Sequence, residues 1–91
     1  MATREKIFPR KNNNAVFRKE ADEGLLFNAD TLEIVAINET GCFIWHLCTG
    51  ENLIDDINKN ICQNYDVTPD RSRKDLDGFL KGLASKKFLK I

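Results

Sequence analysis

The feature that most constrains this chain is a change of hydrophobic period at Asn38. Before it, apolar residues gather in three short runs, 15–20, 25–28 and 32–37. The breaks between them, Ala21-Asp22-Glu23-Gly24 and Asn28-Ala29-Asp30-Thr31, consist of residues that accept turn geometry. Breaks this short join antiparallel neighbours, so the first half reads as a three-stranded meander. After Asn38 the apolar spacing becomes helical. Strands followed by helices, rather than alternating with them, give an α+β domain: a three-stranded antiparallel sheet followed by three α-helices that cover one side of it.

Each helix has its own signals. Asn38 or Thr40 can cap the first, whose apolar face is Phe43, Ile44, Leu47 and Cys48 with Trp45 at the margin, and Gly50 ends it. Asn52 is expected to cap the second, with Asp55 in its first turn and Ile54, Ile57 and Ile61 as its buried stripe. The third opens on Thr68 as cap, Pro69 at the first helical position and Asp70 behind it. Leu76, Phe79, Leu80 and Leu83 then form one apolar face. Tyr65 and Val67 close onto the core, and Phe88 to Ile91 alternate as a short extended tail.

The chain has 91 residues, enough for one small domain, assigned to 15–91. Residues 1–14 lack any period and read as a flexible N-terminal arm. The basic start has no apolar core or cleavage site behind it, so no export signal is expected and the address is cytoplasmic, with Cys42, Cys48 and Cys62 reduced. No apolar run reaches the roughly 18 residues that span a bilayer. Residues 1–19 carry six basic and one acidic residue, 20–70 one and eleven, and 71–91 seven and two, giving +5, −10 and +5. A neutral total argues against a strongly electropositive nucleic-acid binder. A winged-helix nucleic-acid module using the basic third helix is the rival reading.

Asn38 to Cys48 holds the only Trp, the only His and two of the three cysteines. Cys42 and His46, four apart, share a helix face and resemble two zinc ligands. With no second His and no C-x2-C pair, the set is too small for a metal site. The same spacing on a rigid helix leaves little room for a substrate between a thiol and its base. Trp45 is explained by packing, since one large ring covers much of so small a core. No phosphate loop, Ser-His-Asp set or acid/base carboxylate pair appears, so neither an enzyme nor a cofactor is expected. The 32–37 run differs: Leu32-Glu33-Ile34-Val35-Ala36-Ile37 has apolar residues at both parities, whereas a sheet covered on one side alternates. It reads as an edge strand beside an apolar groove that can take a peptide, or a second copy of the chain as a homodimer.

The run Ile37-Asn38-Glu39-Thr40-Gly41-Cys42-Phe43-Ile44-Trp45, followed by Leu47, Gly50, Asp56-Ile57, Tyr65, Asp75-Leu76, Phe79-Leu80, Leu83 and Phe88-Leu89, resembles the PqqD-like family over residues 24–91. Thr49, Leu53 and Lys87 depart from its pattern, the last standing where glycine is usual. The resemblance implies a winged-helix-like domain that recognises the leader of a ribosomally made precursor peptide. It takes the leader as an added strand and presents it to a modifying enzyme, often a radical SAM enzyme, in pyrroloquinoline quinone synthesis or a related pathway. Carried onto this chain, the binding strand supplies Leu32, Glu33, Ile34, Val35 and Ala36. The helix wall supplies Arg71, Lys74, Asp75, Leu76, Phe79 and Leu83. Arg71, Arg73, Lys74 and Lys81 read either as a solvated basic face or as a guide for an acidic leader.

Overall fold

Two antiparallel pairings build the main sheet of the protein, whose computed structural model describes residues 6–91. In chain order the elements are β1 (Arg10–Lys11), β2 (Ala15–Glu20), β3 (Glu23–Asn28), β4 (Ile34–Ile37), α1 (Glu39–Leu47), α2 (Ile54–Asn64), α3 (Pro69–Ser85) and β5 (Leu89–Lys90). The sheet order is β2-β3-β4, and β1 and β5 form a separate two-stranded ribbon. The expected α+β architecture is the one observed.

Register divides the sheet into two faces. On the inner face Leu26, fully buried, stands between Phe17 and Val35. On the outer face Phe27 stands between Val16 and Ile34, which are 53% and 63% exposed. The inner face packs on Ile44, Trp45, Ile57, Ile61, Leu76, Leu80 and Leu83 from the three helices, with Phe88 and Leu89 behind them. The apolar outer row explains why 32–37 reads as two-sided: three of its five apolar residues, Leu32, Ile34 and Ala36, are exposed.

Several local expectations change. β3 begins at Glu23, because the hairpin pairs Glu20 with Glu23 across a two-residue connection whose first member, Ala21, has φ 55°. Leu32 and Glu33 precede β4. Leu32 has φ 63° and its N–H bonds Asn28 O, so it belongs to the turn. Asn38 is the cap of α1, its Oδ1 accepting from Gly41 N at 2.8 Å. Asn52 does not cap α2; its Nδ2 donates to Leu47 O, while the cap position falls on Leu53, whose N–H is taken by Asp56. Trp45 is not marginal but 1% exposed. Thr68 caps α3 with Pro69 behind it, as the sequence implies.

The arm assigned to 1–14 also differs in its described part; residues 1–5 lie outside the described residues. Arg10 and Lys11 pair with Lys90 and Leu89, and Pro9 is buried. Pro9 O accepts from Gly50 N and Asn12 N donates to Phe88 O. Lys11 Nζ lies 5.4 Å from the centre of the Trp45 ring and donates to Cys48 O. Residues 9–12 therefore seal the end of the core that holds Trp45, Cys48 and Phe88.

Asn28 ties the sheet to the end of α3. Its Oδ1 accepts from Asp30 N and Thr31 N, and its Nδ2 donates to Lys86 O and Lys87 O. Buried and with both ends bonded, it fixes the β3–β4 turn against α3. Lys87 stands just past the helix with φ 64°, a conformation that suits glycine. Lys87→Gly is expected to raise unfolding stability by about 1 kcal/mol, read as a shifted urea midpoint at unchanged slope. A lower midpoint would show that the lysine side chain outweighs the backbone strain.

Candidate functional site

β4 is an outer strand. It pairs with β3 on one side, and no strand among the described residues pairs with its other edge. β2 is the opposite border, but its Arg18, Lys19 and Glu20 are all exposed and charged, which guards an edge against foreign strands. β4 carries only Ile34, Val35, Ala36 and Ile37. Helix α3 runs beside it: Lys86 pairs with Glu33 at 3.2 Å before the strand, and Phe79 lies where a side chain on Gly41 would meet it, just past the strand's end.

At that far end a cleft of about 430 Å³ opens between the helices. Asn38, Thr40, Gly41 and Ile44 line it from α1, Ile61, Tyr65 and Val67 from α2 and the following loop, and Ser72, Asp75, Leu76 and Phe79 from α3. The volume falls within the range of pockets that bind small ligands or single side chains. Its walls are mostly apolar because the helices converge there with their core stripes. Phe43 stacks edge-on against Tyr65 at 5.5 Å and holds that ring in place.

Of the residues expected at the site, Ile34, Val35 and Ala36 form the open edge, and Asp75, Leu76 and Phe79 line the cleft. Leu32 is exposed in the turn, and Glu33 is tied to Lys86. Leu83 is core, 4% exposed, and does not line the cleft. Arg71 and Lys74 are exposed on α3 outside it. Arg73 is bound to Asp77 and Asp55, and the hydrogen bond to Asp77 raises its pKa, so it is no free guide for an acidic ligand. Asn38, Thr40, Gly41, Ile44, Ile61, Tyr65, Val67 and Ser72 were not expected in the cleft. Asn38, Gly41 and Ser72 carried capping or small-residue signals that say nothing of a surface.

Cys42 and Cys48 are buried and free of any disulfide. Burial pushes the Cys48 thiol up to about 11, with Lys11 opposing, and burial raises Cys42. Thiols so shifted stay protonated and unreactive near neutrality. His46 is exposed and meets Phe17 edge-on at 5.0 Å. Among the described residues no group of three or more His, Cys, Asp or Glu could hold a metal ion, and no helix is long and apolar enough to cross a membrane.

These features define a winged-helix-like α+β domain with an open sheet edge that leads into a helix-walled cleft. The chain belongs to the PqqD family: the family described as coenzyme PQQ synthesis protein D matches residues 23–89. Among solved structures the chain is similar to TbiB1 in complex with the TbiA(beta) leader peptide, at 27% identity and a TM-score of 0.82, over 89% of this chain and 94% of that one. It also shares its fold with lasso peptide synthetase B1 complexed with the leader peptide, at 13% identity and a TM-score of 0.83, over 93% of this chain and 100% of that one. No significant match is found among curated proteins.

Proposed function

We propose that this domain is a non-catalytic recognition element that binds the leader of a ribosomally made precursor peptide as a fourth strand on the free edge of β4, and presents it to a modifying enzyme. The observation that carries the reading is the unpaired β4 edge alongside α3 in a chain of the PqqD family. Both similar structures are described as complexes with leader peptides. The modifying enzyme we propose is a radical SAM enzyme, acting in pyrroloquinoline quinone synthesis or on another peptide, with both proteins in the cytoplasm. A homodimer through β4 would use the same edge and so compete with the peptide. A nucleic-acid role is not favoured, since Arg73 is neutralised within the protein and the net charge is zero.

Backbone pairing alone does not hold a peptide. A four-residue edge offers about four hydrogen bonds, each worth about 0.5 to 1.5 kcal/mol net, whereas micromolar binding needs about 8 kcal/mol. Two apolar anchors at about 1.5 to 3 kcal/mol each make up the difference. Ile34 at the edge and Phe79 in the wall are the residues that receive them.

Gly78 and Gly82 support this placement. Both lie inside α3, where each costs about 0.5 to 1 kcal/mol relative to alanine, yet an added methyl at either would meet nothing within 4 Å. Packing within the domain does not require them. Gly82 is three residues beyond Phe79 and four before Lys86, on the flank that runs beside β4. A ligand chain approaching that flank benefits from the missing side chain. Gly82→Ala is expected to stabilise the fold by about 0.5 to 1 kcal/mol and to weaken calorimetric binding of the precursor peptide. Stabilisation with unchanged affinity would remove this flank from the site, and no binding by the unaltered protein would refute strand addition.

A further inference from the structure

The cleft beyond β4 has polar groups that the fold leaves unused. Ser72 is 4% exposed and lines the cleft, and its hydroxyl has no hydrogen-bond partner among the described residues. A helical serine commonly returns its hydroxyl to the carbonyl four residues back, but here Thr68 O receives only the Ser72 N–H. Asp75, one turn further along α3, is the one charged side chain lining the cleft, and it makes no ion pair or hydrogen bond among the described residues. Arg71, four residues back, and the adjacent Lys74 both leave it free. An anion is not invited, because the start of α1 is already capped by Asn38 Oδ1 and carries Glu39 in its first turn. Asn38 and Thr40 add polar groups on the α1 side, and the rest of the lining is Gly41 and apolar or aromatic side chains, the Tyr65 and Phe79 rings among them.

A carboxylate and an unpaired hydroxyl beside aromatic and aliphatic walls match a cation carried on an alkyl stem. We infer that the cleft is a subsite for a lysine or arginine side chain of the bound peptide, its stem between Tyr65 and Phe79 and its head on Asp75 and the Ser72 hydroxyl. The inference rests on the strand-addition reading and deepens it. Because Asn38 follows Ile37 and lines the cleft, a chain laid antiparallel to β4 reaches this end with its N-terminal flank. The basic residue therefore precedes the added segment in the peptide.

The probe is the synthetic precursor peptide, made in its native form and with each lysine and arginine before the paired segment replaced by norleucine. Titration of both forms into the wild type, Asp75→Asn and Ser72→Ala completes a thermodynamic cycle. One norleucine replacement is expected to weaken wild-type binding about tenfold, equal to about 1.4 kcal/mol. Asp75→Asn should weaken the native peptide by a similar factor and leave the norleucine peptide within about twofold. Ser72→Ala should act in the same direction and less strongly. If Asp75→Asn leaves the native peptide unaffected while Ile34→Asp still disrupts binding, the subsite is refuted and strand addition survives. A precursor with no basic residue in that flank overturns the subsite equally, and no binding by the wild type overturns both readings.

Discussion

Ile34→Asp is expected to yield a folded protein whose Kd for the precursor peptide rises by about ten- to a hundredfold, the equivalent of about 1.5 to 3 kcal/mol. Ile34 is 63% exposed on the border strand, so the substitution removes little from the core. Its cross-strand partner Phe27 is half-buried, and losing that pair costs the fold at most about 1 kcal/mol. In the proposed complex the same position would be flanked by the peptide strand. A carboxylate there loses hydration without gaining a partner, and the apolar anchor is gone as well. Calorimetry on protein shown to be folded by circular dichroism reads the effect. Affinity within twofold of wild type would mean that the peptide does not add along β4.

Trp45→Ala is expected to cost about 3 to 5 kcal/mol of unfolding stability. At about 0.05 to 0.15 kcal/mol per residue, a domain of this length holds roughly 5 to 14 kcal/mol in all. The variant is therefore expected to be marginal or unfolded at 37 °C. The ring is 1% exposed, and it is sealed by residues 9–12 through the Lys11 side chain. Its backbone carbonyl also accepts from Cys48 N at the end of α1. Urea unfolding followed by circular dichroism measures the loss, since the only tryptophan has been removed. A loss below about 1 kcal/mol would contradict the central place given to the ring.

What could be read from the chain is whatever short-range chemistry decides. Thr68 and Pro69 announce α3 because capping and a fixed φ act within one turn. β2 was bounded correctly at Ala15 and Glu20, between an asparagine run and a turn. What could not be read is set by distant partners. β1 has two residues and no period; its place comes from Leu89 and Lys90. Leu32 looked like strand by composition, but Asn28 draws it into the turn. The family resemblance pointed to Asp75, Leu76 and Phe79, whereas Ser72 and Tyr65 entered the cleft only when α2 and α3 converged. Asp56 displaced Asn52 at α2 because its carboxylate reaches the Leu53 amide, while Asn52 is occupied by Leu47 O.

The pairing of Arg10 with Lys90 joins segments eighty positions apart. Local elements can form as soon as they are made, but a contact of such long sequence separation must wait. While residues 88–90 are still inside the ribosome, the segment at 9–12 has no strand to join and one side of the indole stays wet. Because the meander and the helix pairs need only nearer partners, pairing of the beginning of the domain with its end is expected to come last, and deletion of either half should leave a loosened globule that binds hydrophobic dyes.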